Sequence, residues 1–108
     1  MRKENLKIVK SLVRKFGKDA AMDKLQEECQ ELALELHQLN HCPTKTDKKK
    51  RLNKVYHELA DVKNAIRAVE TFLNRQKINR LQNKKLKEKK SKHLQTSYEK
   101  PIKKAAKN

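Results

Sequence analysis

Two acidic clusters, Glu27-Glu28-Cys29-Gln30-Glu31 and Glu58-Leu59-Ala60-Asp61, lie in a chain that holds 29 Lys+Arg against 13 Asp+Glu, a formal net charge of +16. Carboxylates spaced i, i+3 sit on adjacent turns of one helix face, and two such pairs brought together make a set of hard oxygen ligands suited to Mg²⁺, the usual handle for phosphate chemistry. At about 100° per residue, Glu28, Glu31 and Glu35 fall on one flank of the apolar stripe Met22, Leu25, Cys29, Leu32, Leu36 and Leu39, whereas Glu27 turns away. Glu58 and Asp61 fall on the flank of the same rotational sense of a second stripe, next to Ala65 and Ala68. Two antiparallel helices that face each other are related by a local two-fold axis, which carries each flank onto the flank of the same sense. Both acid pairs therefore lie on one side of a hairpin. Their midpoints, 29.5 and 59.5, average to 44.5, inside the polar turn at residues 40–49. One acid pair alone is ordinary on a solvated helix; two pairs at matching flank and height concentrate like charge that a divalent cation relieves.

The elements that must position these acids are helical throughout. Leu6, Val9, Leu12, Val13 and Phe16 recur at three- and four-residue spacing and end at Gly17, the only glycine, as a C-cap. Asp19 is the expected cap of a second helix, which ends where residues 40–47 bring Pro43 and polar turn residues. A third helix is expected from about Lys49 into the seventies, with Leu52, Val55, Leu59, Val62, Ile66, Val69 and Leu73 as its stripe. No strand pattern competes. From Arg75 on, Ile78, Leu81, Leu86 and Leu94 share no single face, and the segment carries 13 Lys/Arg against two acids. Its start reads as helix and residues 91–108 read as a mobile basic tail. The chain thus divides into a helical domain at 1–75 and a lysine-rich extension at 76–108.

Composition narrows the function classes. With 108 residues and 35% apolar content the chain builds one small core, which a partner subunit is expected to complete as a dimer or tetramer. Its apolar runs fall far short of the roughly 20 residues that cross a bilayer, so a soluble cytoplasmic protein is expected. Cys29 and Cys42 match no metal-finger spacing and read as reduced thiols; His37 and His41 near Cys42 lack a fourth zinc ligand at a familiar spacing. A single glycine excludes a Walker-type phosphate loop.

Glu27-Glu28-x-x-Glu31 followed by Glu58-x-x-Asp61-Val62 resembles the E-E-x-x-E … E-x-x-D signature of the MazG-like all-α nucleoside triphosphate pyrophosphohydrolases. The resemblance covers about residues 6–75. It implies an all-α bundle built on an antiparallel hairpin and completed by oligomerisation, hydrolysing an NTP or dNTP to monophosphate and pyrophosphate. By motif position, Glu28, Glu31, Glu58 and Asp61 would bind Mg²⁺, for which Mn²⁺ can substitute, and Glu27 would be the catalytic, water-orienting acid. The absence of Trp, the Lys63-Asn64 pair after Asp61-Val62 and the long basic tail depart from the family pattern and bear on base specificity.

Phosphoryl chemistry also asks for positive side chains, for which Lys15, Lys54 and Lys63 are the candidate substrate-binding residues, and for a positioned water, which His57 could deprotonate. A different class of function fits the charge directly: a non-enzymatic helical protein that binds RNA or DNA through Lys48-Lys49-Lys50-Arg51 and the lysine-rich tail. Those runs neutralise phosphates but lack interleaved aromatics for stacking. Metal dependence separates the two readings.

Overall fold

The computed structural model describes residues 2–89, and within them the chain forms four helices and no strand: α1 Lys3–Phe16, α2 Lys18–Asn40, α3 Lys45–Glu70 and α4 Arg75–Lys89. The expected tail at 91–108 lies outside the described residues. Two compact units divide the chain, Met1–Leu73 and Asn74–Asn108.

Gly17 makes the first corner. Its amide donates to the Val13 carbonyl at 2.8 Å, and its φ of 95° lies in the region that disfavours any side chain. Because Gly17 ends α1 and begins α2 at once, no residue is left between the helices for Asp19 to cap; Asp19 instead lies in the first turn of α2, where its charge meets the positive end of the helix. The second corner is tighter than the sequence suggests. Thr44 accepts from the Asp47 amide through Oγ1 at 3.2 Å, so α3 starts at Lys45 rather than near Lys49, and residues 41–44 alone join the helices.

The turn sets α2 and α3 antiparallel. Arg51 donates to Gln38 Oε1 across the pair, and Glu31 lies beside Glu58; both pairs are centred on 44.5, the level expected from the acid spacing. The rotation of the helices differs from the expected stripe. On α2 the less exposed positions are Ala21, Leu25, Glu28, Leu32, Glu35, Gln38 and Leu39, while Met22, Cys29 and Leu36 are exposed. On α3 the seam holds Arg51, Val55, Glu58, Val62, Ala65 and Val69, and Leu52, Leu59 and Ile66 remain exposed. Each helix has turned by about one residue, which brings Glu28, Glu35 and Glu58 from a flank into the seam.

The outward row is the reason this rotation can persist. Met22, Cys29 and Leu36 on α2, and Leu52, Leu59 and Ile66 on α3, each recur every seven residues and sit one position after the seam residues. By the same two-fold relation they share one face of the hairpin. Helix α1 takes the other side, against Ala20, Ala21, Ala65 and Ala68, whose small side chains admit its apolar face. Val55, Val62 and Ala65 are the only buried hydrophobic residues among those described. At about 1.5–3 kcal/mol for each large aliphatic side chain buried, that core is thin for three helices.

The second unit contributes α4 alone to the described residues. Asn74 Oδ1 accepts from the Lys77 amide at 3.1 Å and starts it, so the helical start read at Arg75 extends through fifteen residues. Lys77, Arg80 and Lys84 flank Leu81 on its surface. No helix among the described residues is long and apolar enough to cross a membrane.

Candidate metal centre

The α2–α3 seam brings carboxylates together where a packed core would place aliphatic groups. One ligand oxygen from each of Glu28, Glu31 and Glu58 lies within 4.8 Å of the others, a set that one cation can bridge. Glu28 is the one buried polar residue among those described, with 4% of its surface exposed. Its Oε1 meets Lys24 Nζ at 2.9 Å, and its Oε2 is buried without a hydrogen-bond partner. Oε2 of Glu58 is orphaned in the same way, as is Oε2 of Glu35 farther along α2. A buried carboxylate oxygen without a donor is costly unless a cation or proton meets it, so the donor set fits a hard divalent ion.

The electrostatics report the same crowding. The Glu31 carboxyl is held above its ordinary value near 4.5, first by the charge of Glu28, then by desolvation and by the charges of Glu58 and Glu27, with a hydrogen bond to Glu58 adding to the effect. Lys24 is raised above 10.5, chiefly through its hydrogen bond to Glu28 and then by the charge of Glu27. A raised carboxyl value in the folded state means that folding favours the protonated form. The stability contributed by Glu31 is therefore full below its unfolded value and is lost as pH rises through the folded value. In thermal melts, metal-free protein should become more stable on acidification from neutral pH toward 5, with Glu31→Gln flattening that trend; a wild-type melting temperature that falls steadily over this range would contradict it.

Asp61 stands apart from the three glutamates. Its side chain is one methylene shorter, it is exposed, and it lines a groove of about 790 Å³ between α1 and the hairpin together with Lys24, Glu28 and Asn64. The α1 side of that groove is apolar, with Ile8, Leu12 and Phe16; Phe16 is 62% exposed. A groove of this size with an apolar side and a few polar groups has the dimensions of a small-molecule site.

The remaining candidates are placed as follows. Glu27 is exposed, yet its charge reaches both Lys24 and Glu31. Lys15 is exposed with its ammonium 5.3 Å from the Phe16 ring centroid, at the groove's edge. Lys54 and Lys63 are exposed, and none of the three expected lysines lines the groove. The lysine that does is Lys24, and the signal for it in the sequence is its position four residues before Glu28, the spacing of a helical ion pair. His37 and His41 stack with ring centroids 4.4 Å apart, and no group of three ligand atoms among the described residues includes them or Cys42. His57 is exposed beside Glu58. Compared with protein-family models, characterised proteins and solved structures, the chain matches none.

Proposed function

We propose that this protein is a divalent-cation-dependent nucleoside triphosphate pyrophosphohydrolase, similar to the MazG-like enzymes, that releases monophosphate and pyrophosphate. The observation that carries this reading is the triad Glu28, Glu31 and Glu58, in which Oε2 of Glu28 and Oε2 of Glu58 are buried without a partner and Glu28 also lines the groove that holds Lys24. Those three glutamates would hold Mg²⁺, and Asp61 on the groove wall would complete the set. The cation, when bound, neutralises phosphate charge and polarises the phosphorus toward attack.

The chain's own residues do the rest. The apolar side formed by Leu12 and Phe16 of α1 receives base and sugar, and the side with Lys24 and Asn64 receives the phosphate chain. Water attacks the α-phosphorus, the bond from that phosphorus to the bridging oxygen breaks, and pyrophosphate leaves with the bridging oxygen. Glu27, whose charge is already felt at Lys24 and Glu31, orients the water and takes its proton. Lys15 at the groove's edge steers the polyanion, while Lys54 and Lys63 contribute at longer range.

Assembly belongs to the same reading. The rows Met22, Cys29, Leu36 and Leu52, Leu59, Ile66 form a self-complementary apolar face, which a second hairpin covers to give a four-helix arrangement. The acids face away from that interface, so two sites form per dimer.

A second reading rests on α4, where Lys77, Arg80 and Lys84 offer phosphate contacts of the kind that bind nucleic acid without reading sequence. Screening common and damaged NTPs and dNTPs for pyrophosphate release, with Mg²⁺ and with chelator, decides between the two. Metal-dependent release from any nucleotide supports the hydrolase. Salt-sensitive nucleic-acid binding without release supports the second reading.

A further inference from the structure

Among the described residues, Lys24 is the only cation lining the groove, and it is engaged there by an acid rather than left for substrate. Its ammonium meets Glu28 Oε1 at 2.9 Å, while Glu28 itself is buried to 96% of its surface, leaving Oε2 without a donor. The lysine side chain, by contrast, is 60% exposed. One partner is thus fixed by packing and the other is held only at its tip, on a four-carbon stem that pivots from the groove wall.

The charges around this pair set up a conflict. Glu28, Glu31 and Glu58 lie within reach of one another, Asp61 lines the same groove as Glu28 and the charge of Glu27 reaches Glu31, and a triphosphate would bring further negative charge to the same place. Without a counter-cation the site repels both its own carboxylates and the nucleotide. Lys24 supplies one positive charge at the most buried of these acids. Because the lysine partner is solvent-exposed and held only at its tip, a divalent cation with three oxygen ligands outcompetes it.

We propose that Lys24 is a displaceable counter-cation: it neutralises Glu28 while no divalent ion is bound, yields Glu28 to the ion, and then turns to the phosphate chain in the groove. This rests on the hydrolase reading and deepens it, by giving the order of events and the residue that couples metal binding to phosphate binding. The device eases the like-charge repulsion of the empty site and leaves no free cation in the groove to bind nucleotide unproductively. It also delivers a positive charge to the phosphates only once the metal has arrived.

The test is a calorimetric titration of the full chain with Mn²⁺, without nucleotide, at fixed pH and ionic strength, followed by titration of the Mn²⁺-loaded protein with inorganic pyrophosphate. Lys24→Met keeps the length of the stem and removes the competing charge. It should bind Mn²⁺ about two- to five-fold more tightly than wild type, because the ion pair between the solvent-exposed lysine and Glu28 no longer has to be broken. The same variant should bind pyrophosphate about ten-fold more weakly, since a charge-assisted contact is lost. Lys24→Arg should follow wild type in both titrations. Lys10→Met, which removes an equal charge from α1 outside the groove, should leave Mn²⁺ affinity within about two-fold. Unchanged or weakened Mn²⁺ binding by Lys24→Met, or a gain equal to that of Lys10→Met, would overturn the proposal while leaving the metal site standing. A wild-type protein that binds no Mn²⁺ would overturn both.

Discussion

Glu31→Gln is expected to lower metal-dependent pyrophosphate release by about a hundred-fold or more while raising the thermal stability of the metal-free protein. The loss follows from removing one of three oxygen ligands at a site whose work is electrostatic; single groups in such positions are worth on the order of 10²–10³ in rate. The gain in stability follows from the same geometry with the opposite sign. Glu31 lies beside Glu28 and Glu58, and the charge of Glu28 is the largest influence on its proton affinity. An amide of the same shape carries no charge to repel and can donate to an orphaned carboxylate oxygen. A purely structural surface acid would show neither effect. Steady-state pyrophosphate assays and melts in chelator check the two signs together, with Glu4→Gln on α1 as the control. Full turnover by Glu31→Gln would sink the ligand assignment.

Ile66→Asp carries the second large effect, on assembly. Ile66 is 41% exposed and ends the row with Leu52 and Leu59, eight residues beyond Glu58, so a charge there leaves the acid triad untouched. Burying a carboxylate in an apolar interface costs several kcal/mol, enough to weaken association by more than about a hundred-fold. Sedimentation equilibrium should show wild type as a dimer or higher oligomer at micromolar concentration and the variant as a monomer. Because Val55, Val62 and Ala65 are the only buried hydrophobic residues among those described, the monomer should also melt at lower temperature. A wild-type protein that is monomeric and fully folded at that concentration would contradict the proposed face.

Much of the arrangement was legible because local chemistry decided it. Gly17 could end α1 and turn the chain where no other residue could, and the spacing of the acids about 44.5 survives as the register of Gln38 with Arg51 and of Glu31 with Glu58. What was not legible depended on context. The apolar stripe through Met22, Cys29 and Leu36 gives the most hydrophobic face of α2, but the face that meets α3 is centred nearer Glu28, since the stripe's outer half has no partner within one protomer. Thr44 is one polar residue among several in the turn, and only its bond to the Asp47 amide marks it as the cap. Lys24 was one lysine among many; only its contact with a buried acid separates it from the solvated ones. Asp61 shares a motif with Glu58 but not a level of burial, and the shorter side chain stays on the groove wall.

Whether Glu28, Glu31 and Glu58 hold a divalent cation can be seen by anomalous scattering from crystals of the full chain soaked in Mn²⁺. A peak is expected in each protomer within coordination distance of all three carboxylates, on the side of the groove lined by Asp61, and it should disappear in Glu31→Gln crystals. A well-occupied peak elsewhere, or none at these glutamates at millimolar Mn²⁺, would contradict it.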